Sequence, residues 1–154
     1  MQRIYLDNAA TTAIRPEVVD EMANVMKNVF GNPSSTHVFG REAKALIEMS
    51  RKNIAQRLNV SPAEIYFTSC GTESNNTIIR SCVNDLDVTR IITTDMEHKC
   101  VQESVKTEEY KGNVEVIRLN IFKDGNIDYT QLEELLKDQS KKTLVSLMHA
   151  NNEI

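Results

Sequence analysis

Three segments of this chain gather side chains able to do chemistry. They are Ser69-Cys70-Gly71-Thr72-Glu73-Ser74, Asp95-Met96-Glu97-His98-Lys99 and His149-Ala150-Asn151-Asn152. In the first, a glycine permits a tight turn and a helical pattern follows. Free N–H groups at a helix start attract an anion, and the Thr72 hydroxyl adds a donor. A phosphate is the natural guest of such a turn. Neither G-x-x-x-x-G-K-[ST] nor G-x-G-x-x-G is present, which argues against a nucleoside triphosphate and a dinucleotide. The competing reading is that Gly71 only turns the chain and Thr72 only caps the helix. His98 could serve as an acid/base, as a ring stacked on a flat cofactor, or as a metal ligand, against the plainer reading of a surface histidine. Glu97, His98 and Cys100 follow no recognised metal-ligand spacing, so no metal is expected. Asn151 and Asn152 offer neutral amides suited to a carboxylate or a phenolic oxygen, or else form an ordinary turn.

Other residues carry weaker claims. Cys70 lies near a helix start, which favours a thiolate, but a small residue in a crowded turn explains it as well. Lys99, beside Glu97, reads as a solvated charge rather than a Schiff-base lysine. His37 and His149 are weaker candidates and read as plain surface histidines.

The elements that must position these groups follow from the hydrophobic pattern. Ile4 to Leu6 is a short extended piece, followed by the polar loop Asp7-Asn-Ala-Ala-Thr-Thr. Pro16 opens a helix with Val18, Met22, Val25, Met26 and Val29 on one side, and Gly31-Asn-Pro-Ser-Ser ends it. A longer helix is predicted from about Phe39 to Leu58. Strands are predicted at Glu64 to Ser69, Arg90 to Thr94, Val114 to Leu119 and Thr143 to Met148. Helices between them run from about Glu73 to Val83, His98 to Tyr110 and Tyr129 to Lys137, the last with Asp128 as N-cap. Alternating strands and helices predict an α/β fold with a mainly parallel sheet flanked by helices. In such sheets ligands sit beyond the carboxyl ends of the strands, where the three segments fall.

The 154 residues suffice for one ordinary domain, and the composition, 40% hydrophobic and 26% charged, is that of a globular chain. The net charge of −4 lacks a basic footprint, so no direct nucleic-acid partner is expected. No apolar run reaches membrane-spanning length, and Asp7 interrupts the start before a secretory signal could form. Three cysteines without C-x-x-C spacing point to neither a disulfide framework nor structural zinc, with a reduced, cytoplasmic setting as the default expectation.

Taken in order, Tyr5-Leu-Asp-Asn-Ala-Ala-Thr-Thr, Gly31-Asn-Pro-Ser-Ser-Thr-His, Phe67-Thr-Ser-Cys-Gly-Thr-Glu-Ser-Asn-Asn, Glu97-His-Lys and His149-Ala-Asn-Asn-Glu-Ile resemble successive signatures of the cysteine desulfurases. These are fold-type I pyridoxal-phosphate enzymes of the class V aminotransferase family. The resemblance implies removal of sulfur from L-cysteine, giving L-alanine and a persulfide on an enzyme cysteine. That sulfur would feed iron–sulfur cluster assembly or tRNA thiolation. Gly71 and Thr72 match the phosphate-binding turn, and His98 the histidine that stacks on the pyridine ring and moves protons. Asn152 matches the asparagine beside the phenolic oxygen and the substrate carboxylate. Cys70 stands where a glycine is common.

The resemblance also implies that this is the N-terminal portion of such an enzyme. The Schiff-base lysine and persulfide cysteine of the family match no residue here. Residues 1–60 would form an N-terminal loop and helical segment, and 61–154 the first part of the cofactor-binding domain. A homodimer and a scaffold or sulfur-acceptor protein are the implied partners. Rival readings are a selenocysteine lyase or another class V aminotransferase, and a non-catalytic binding or assembly domain.

Overall fold

The structure is a computed structural model and describes residues 3–152. The chain divides into two compact units, Met1–Phe67 and Thr68–Ile154.

The first unit contains α1 (Pro16–Asn28), α2 (Val38–Leu58) and a 3-10 turn at Pro62–Glu64. Pro16 stands in the first turn of α1, where its missing N–H costs no bond. His37 caps α2 by accepting the Gly40 N–H at its Nδ1, a local role that a plain surface reading does not include. A Cβ at Gly40 would collide with the backbone carbonyls of Ser35 and Asn32, so only glycine lets the 32–35 turn close onto the helix. The predicted apolar face of α1 is present, but no residue of α1 is buried. Met22, Val25 and Met26 instead line an open groove of about 710 Å³ with Leu46, Ile47 and Phe67.

The second unit is an α/β layer structure: α3 (Gly71–Asn84), β1 (Arg90–Thr93), α4 (Lys99–Tyr110), β2 (Glu115–Arg118), α5 (Tyr129–Lys137) and β3 (Thr143–Val145). The sheet order is β2–β1–β3, with β1 parallel to both neighbours. Every residue of β1 is buried, as a central parallel strand requires. Ile79 and Val83 of α3, Ile91 of β1, and Val101 and Val105 of α4 form the core with Val88 and Val114. The parallel α/β expectation holds. At the amino end of β1, the buried Arg90 donates to Thr143 Oγ1 at 2.9 Å and pairs with Asp138 at 3.3 Å. Asp128 caps α5 by accepting the Gln131 N–H at 2.9 Å.

The predicted strand at Glu64 to Ser69 is not formed. Glu64 closes the 3-10 turn through a capping box: the Ser61 side chain accepts the Ala63 N–H, and Glu64 accepts the Ser61 N–H at 2.7 Å. The Ile65 carbonyl is taken by the Arg51 guanidinium. A strand exists only through its ladder, and among the described residues no strand pairs with 65–69. The other strands are shorter than predicted for a related reason. The last partner of β1 on β3 is Val145, facing Ile92, and Ser146 N–H closes the ladder on the Ile92 carbonyl at 2.9 Å. Helix α3 begins at Gly71, two residues before the expected start, so Gly71 and Thr72 belong to its first turn.

Candidate active site

The segments beyond β1 and β3 are tied together before any ligand is considered. The Asn151 side chain donates to the Met96 carbonyl at 3.1 Å. The Met148 N–H exerts a stabilising pull on the Glu97 carboxylate, smaller than the opposing effect of burial. Gln102, one turn into α4, donates from Nε2 to the carbonyls of Asp95 at 2.9 Å and Glu97 at 2.8 Å. Arg118, at the end of β2, pairs with Glu109 at 2.8 Å and with Asp95 at 3.5 Å. This bond holds the Glu109 carboxyl below the usual carboxylate range.

His98 stands at the N-cap of α4, immediately after this braced loop, and its ring is exposed. It rims two clefts. One, of about 440 Å³, also has Glu97, Lys99, Asn151 and Asn152 in its wall. The other, of about 480 Å³, is lined by Thr72, Asn76 and Arg80 of α3 and by Lys99 and Cys100 of α4. The structure thus brings His98 together with Asn152 on one side and with Thr72 on the other. Gly71 opens α3 beside Thr72, with nothing within 4 Å of where a Cβ would stand. His149 faces a separate cavity of about 530 Å³ with Asp124, Asn126 and Tyr129. Glu153 and Ile154 of the last motif lie outside the described residues.

Four residues with a part in this geometry escape a reading by motif. Glu73 reaches back one turn, its Oε2 accepting the Ser69 N–H at 2.6 Å and the Ser69 hydroxyl at 2.7 Å. These bonds hold its carboxyl below the usual range. The Ser-x-x-x-Glu spacing is the sequence signal for them. Glu97 is 7% exposed, and its Oε1 has no hydrogen-bond partner. Burial pushes its carboxyl up, against the smaller opposing pull of the Met148 N–H. Asn75 contacts Cys100, which in turn contacts His98, and no local pattern announces that. The exposed Cys70 thiol is held below its ordinary value, chiefly by the Glu73 N–H, then by the Ser69 hydroxyl and the Thr72 N–H, although it makes no full cap bond.

A family model of the class-V aminotransferases matches residues 4–154. The chain belongs to the class-V aminotransferase family. It is 42% identical over 155 residues to cysteine desulfurase IscS of Dictyoglomus turgidum, covering 99% of this chain and 39% of that protein. It is 40% identical over 154 residues to the mitochondrial cysteine desulfurase of Drosophila melanogaster, covering 98% of this chain and 33% of that one. Among solved structures, a NifS-like protein superposes with a TM-score of 0.89 at 40% identity, over 99% of this chain and 42% of that chain. The chain therefore spans well under half the length of these relatives. They also correct the expectation of a cytoplasmic setting: the eukaryotic relatives include proteins named mitochondrial and mitosomal, and cysteine usage does not distinguish such compartments.

Proposed function

We propose that the protein to which these residues belong removes sulfur from L-cysteine with pyridoxal 5'-phosphate, giving L-alanine and a persulfide on an enzyme cysteine. The observation that carries this reading is the position of His98 on the shared rim of two clefts, one with Thr72 and the other with Asn152. The residues present fit the cofactor. The Thr72 hydroxyl, the first-turn N–H groups of α3 and the Lys99 and Arg80 cations suit a phosphate, and the planar His98 ring lies between that cleft and the amides of Asn151 and Asn152. When bound, the cofactor supplies an electron sink that stabilises the carbanion left at the substrate Cα.

The chain's own residues then have distinct tasks. Gly71 and Thr72 bind the phosphate. His98 fixes the ring plane and holds a proton at its outward ring nitrogen. Asn152 donates its amide to the phenolic oxygen or the substrate carboxylate. Glu97 and Gln102 keep the loop before His98 in place. Residues 61–154 supply the first part of the cofactor-binding domain, and 1–60 the N-terminal loop and helical segment. A homodimer is the proposed assembly. A scaffold for iron–sulfur clusters or an acceptor in tRNA thiolation is the proposed destination of the sulfur.

The test is cysteine turnover by the protein carried to the length of its relatives, with alanine and bound sulfur measured together. Equal amounts of the two support the reading. Turnover of selenocysteine alone, or none, refutes it. The 154 residues by themselves should form no covalent bond to the cofactor and release no sulfide from cysteine, because no lysine here stands in the family's Schiff-base motif. Borohydride treatment followed by peptide mass analysis should show no stoichiometric adduct.

A further inference from the structure

The wall beneath His98 has a direction that can be read bond by bond. The Nδ1 of His98 lies 3.2 Å from the backbone nitrogen of Cys100 and 2.9 Å from its Sγ. From α3, the Asn75 amide donates from Nδ2 to the same sulfur at 3.2 Å. A backbone N–H can only donate, so Nδ1 carries no proton and the neutral ring has its proton on Nε2. With Nδ1 an acceptor, the 2.9 Å contact requires the Cys100 thiol to be the donor. The Asn75 amide, also a donor, then occupies a sulfur lone pair. The chain of donation runs from Asn75 to Cys100 to His98.

We propose that Cys100 and Asn75 are positioning residues that lock His98 as the Nε2–H tautomer, so that it meets its ligand as a hydrogen-bond donor rather than as a base. Three consequences follow. Two donors pin Nδ1, which stops the ring from flipping about its Cβ–Cγ bond and holds its plane. Nε2 is left as the one ring nitrogen that exchanges a proton with a ligand. The atom it faces must therefore offer a lone pair, as a carboxylate, phenolic oxygen or sulfur does. Cys100 is in this arrangement a proton donor to an imidazole, not a sulfur carrier. The inference rests on the proposed function for its meaning to the reaction, but not for its geometry.

The test is a nitrogen-15 NMR spectrum of the 154-residue chain labelled at histidine. The chain has three histidines, and His98→Gln assigns the third signal by its loss. The expected spectrum shows bare Nδ1 and protonated Nε2 at His98. Cys100→Ser keeps a donor at the same place and should leave that spectrum unchanged. Cys100→Ala removes one of the two donors, so the ratio of Nε2–H to Nδ1–H should fall about fivefold, the worth of one hydrogen bond of about 1 kcal/mol. A protonated Nδ1 in the unaltered chain overturns the inference, as does a ratio in Cys100→Ala equal to that of the unaltered chain. If Cys100→Ala does not fold, the unaltered chain and Cys100→Ser still decide it, since loss of the Nε2–H form in either refutes the lock. In the longer, cofactor-loaded protein, Cys100→Ala should lower kcat for cysteine with KM little changed, and Cys100→Ser should restore it. The expected tautomer in a protein that does not turn over cysteine would refute the proposed function and leave the lock standing.

Discussion

Gln102→Met is the sharpest probe of how the fold presents His98. Methionine keeps the length and volume of glutamine, so packing changes little, but both donations from Nε2 disappear. Each such bond contributes about 1 kcal/mol. The Asp95 carbonyl belongs to an exposed residue and regains a water in the variant, whereas Glu97 is buried and its carbonyl is harder to rehydrate. The loss is then about 1.5 kcal/mol, roughly a tenfold fall in the folding equilibrium. Urea unfolding followed by circular dichroism reads it directly. With a slope of about 1.5 kcal/mol per M, the midpoint should drop by about 1 M. The control is Lys106→Gln, which breaks the exposed pair with Glu103 and weakens a minor pull on Glu109, and should move the midpoint by less than about 0.3 M. The loosened loop should also weaken cofactor binding, since Asp95 and Glu97 lead into the His98 cap. An unchanged midpoint in Gln102→Met would refute the claim that these two bonds brace the loop. A lower midpoint with unchanged cofactor affinity would refute the link between the brace and the site.

Further outcomes follow from the same geometry. In the longer protein, His98→Ala should reduce cysteine turnover more than cofactor affinity, because ring stacking is one of several binding contacts while proton movement has no substitute; kcat against cofactor Kd checks this. Cys70→Ser should leave most persulfide formation intact, as followed by mass analysis of the trapped enzyme, since the lowered thiol reflects first-turn N–H groups and a serine accepts from them as well. The carboxyls of Glu73, Glu109, Asp124 and Asp138 lie below their ordinary values. Their stabilisation is present above about pH 4 and is lost as pH falls through their folded values. Glu97 has the opposite sign. Its raised carboxyl favours the folded state in acid, and this is lost as pH rises through its folded value. Thermal midpoints from pH 7 to pH 3 should therefore decline on the acid side, and Glu97→Gln should raise the midpoint at pH 7 relative to pH 5.

Much of the second unit was legible in the chain because its signals are local. Asp128 caps α5 through a bond to a residue three positions on, and the periodicity of α4 needs only its own turn geometry. The run Arg90 to Thr93 is apolar at its centre because a middle strand of a parallel sheet is covered on both faces. The motifs also marked Thr72, His98 and Asn152, since each falls just after a strand pattern or at a helix start. Residues 64–69 have strand chemistry as strong as that of β1, yet they form none, because pairing depends on a second segment and Ser61, Glu64 and Arg51 claim the local bonds first. The apolar face of α1 was equally visible, but the pattern does not tell whether such a face is buried. Which atoms brace and orient His98 was decided only by tertiary structure. Asn75 and Cys100 are separated by 25 positions, and they meet because α3 and α4 pack against each other over Val83, Val101 and Val105. A hydrogen bond's direction depends on which groups a fold brings within 3 Å, and no one-dimensional spacing carries that.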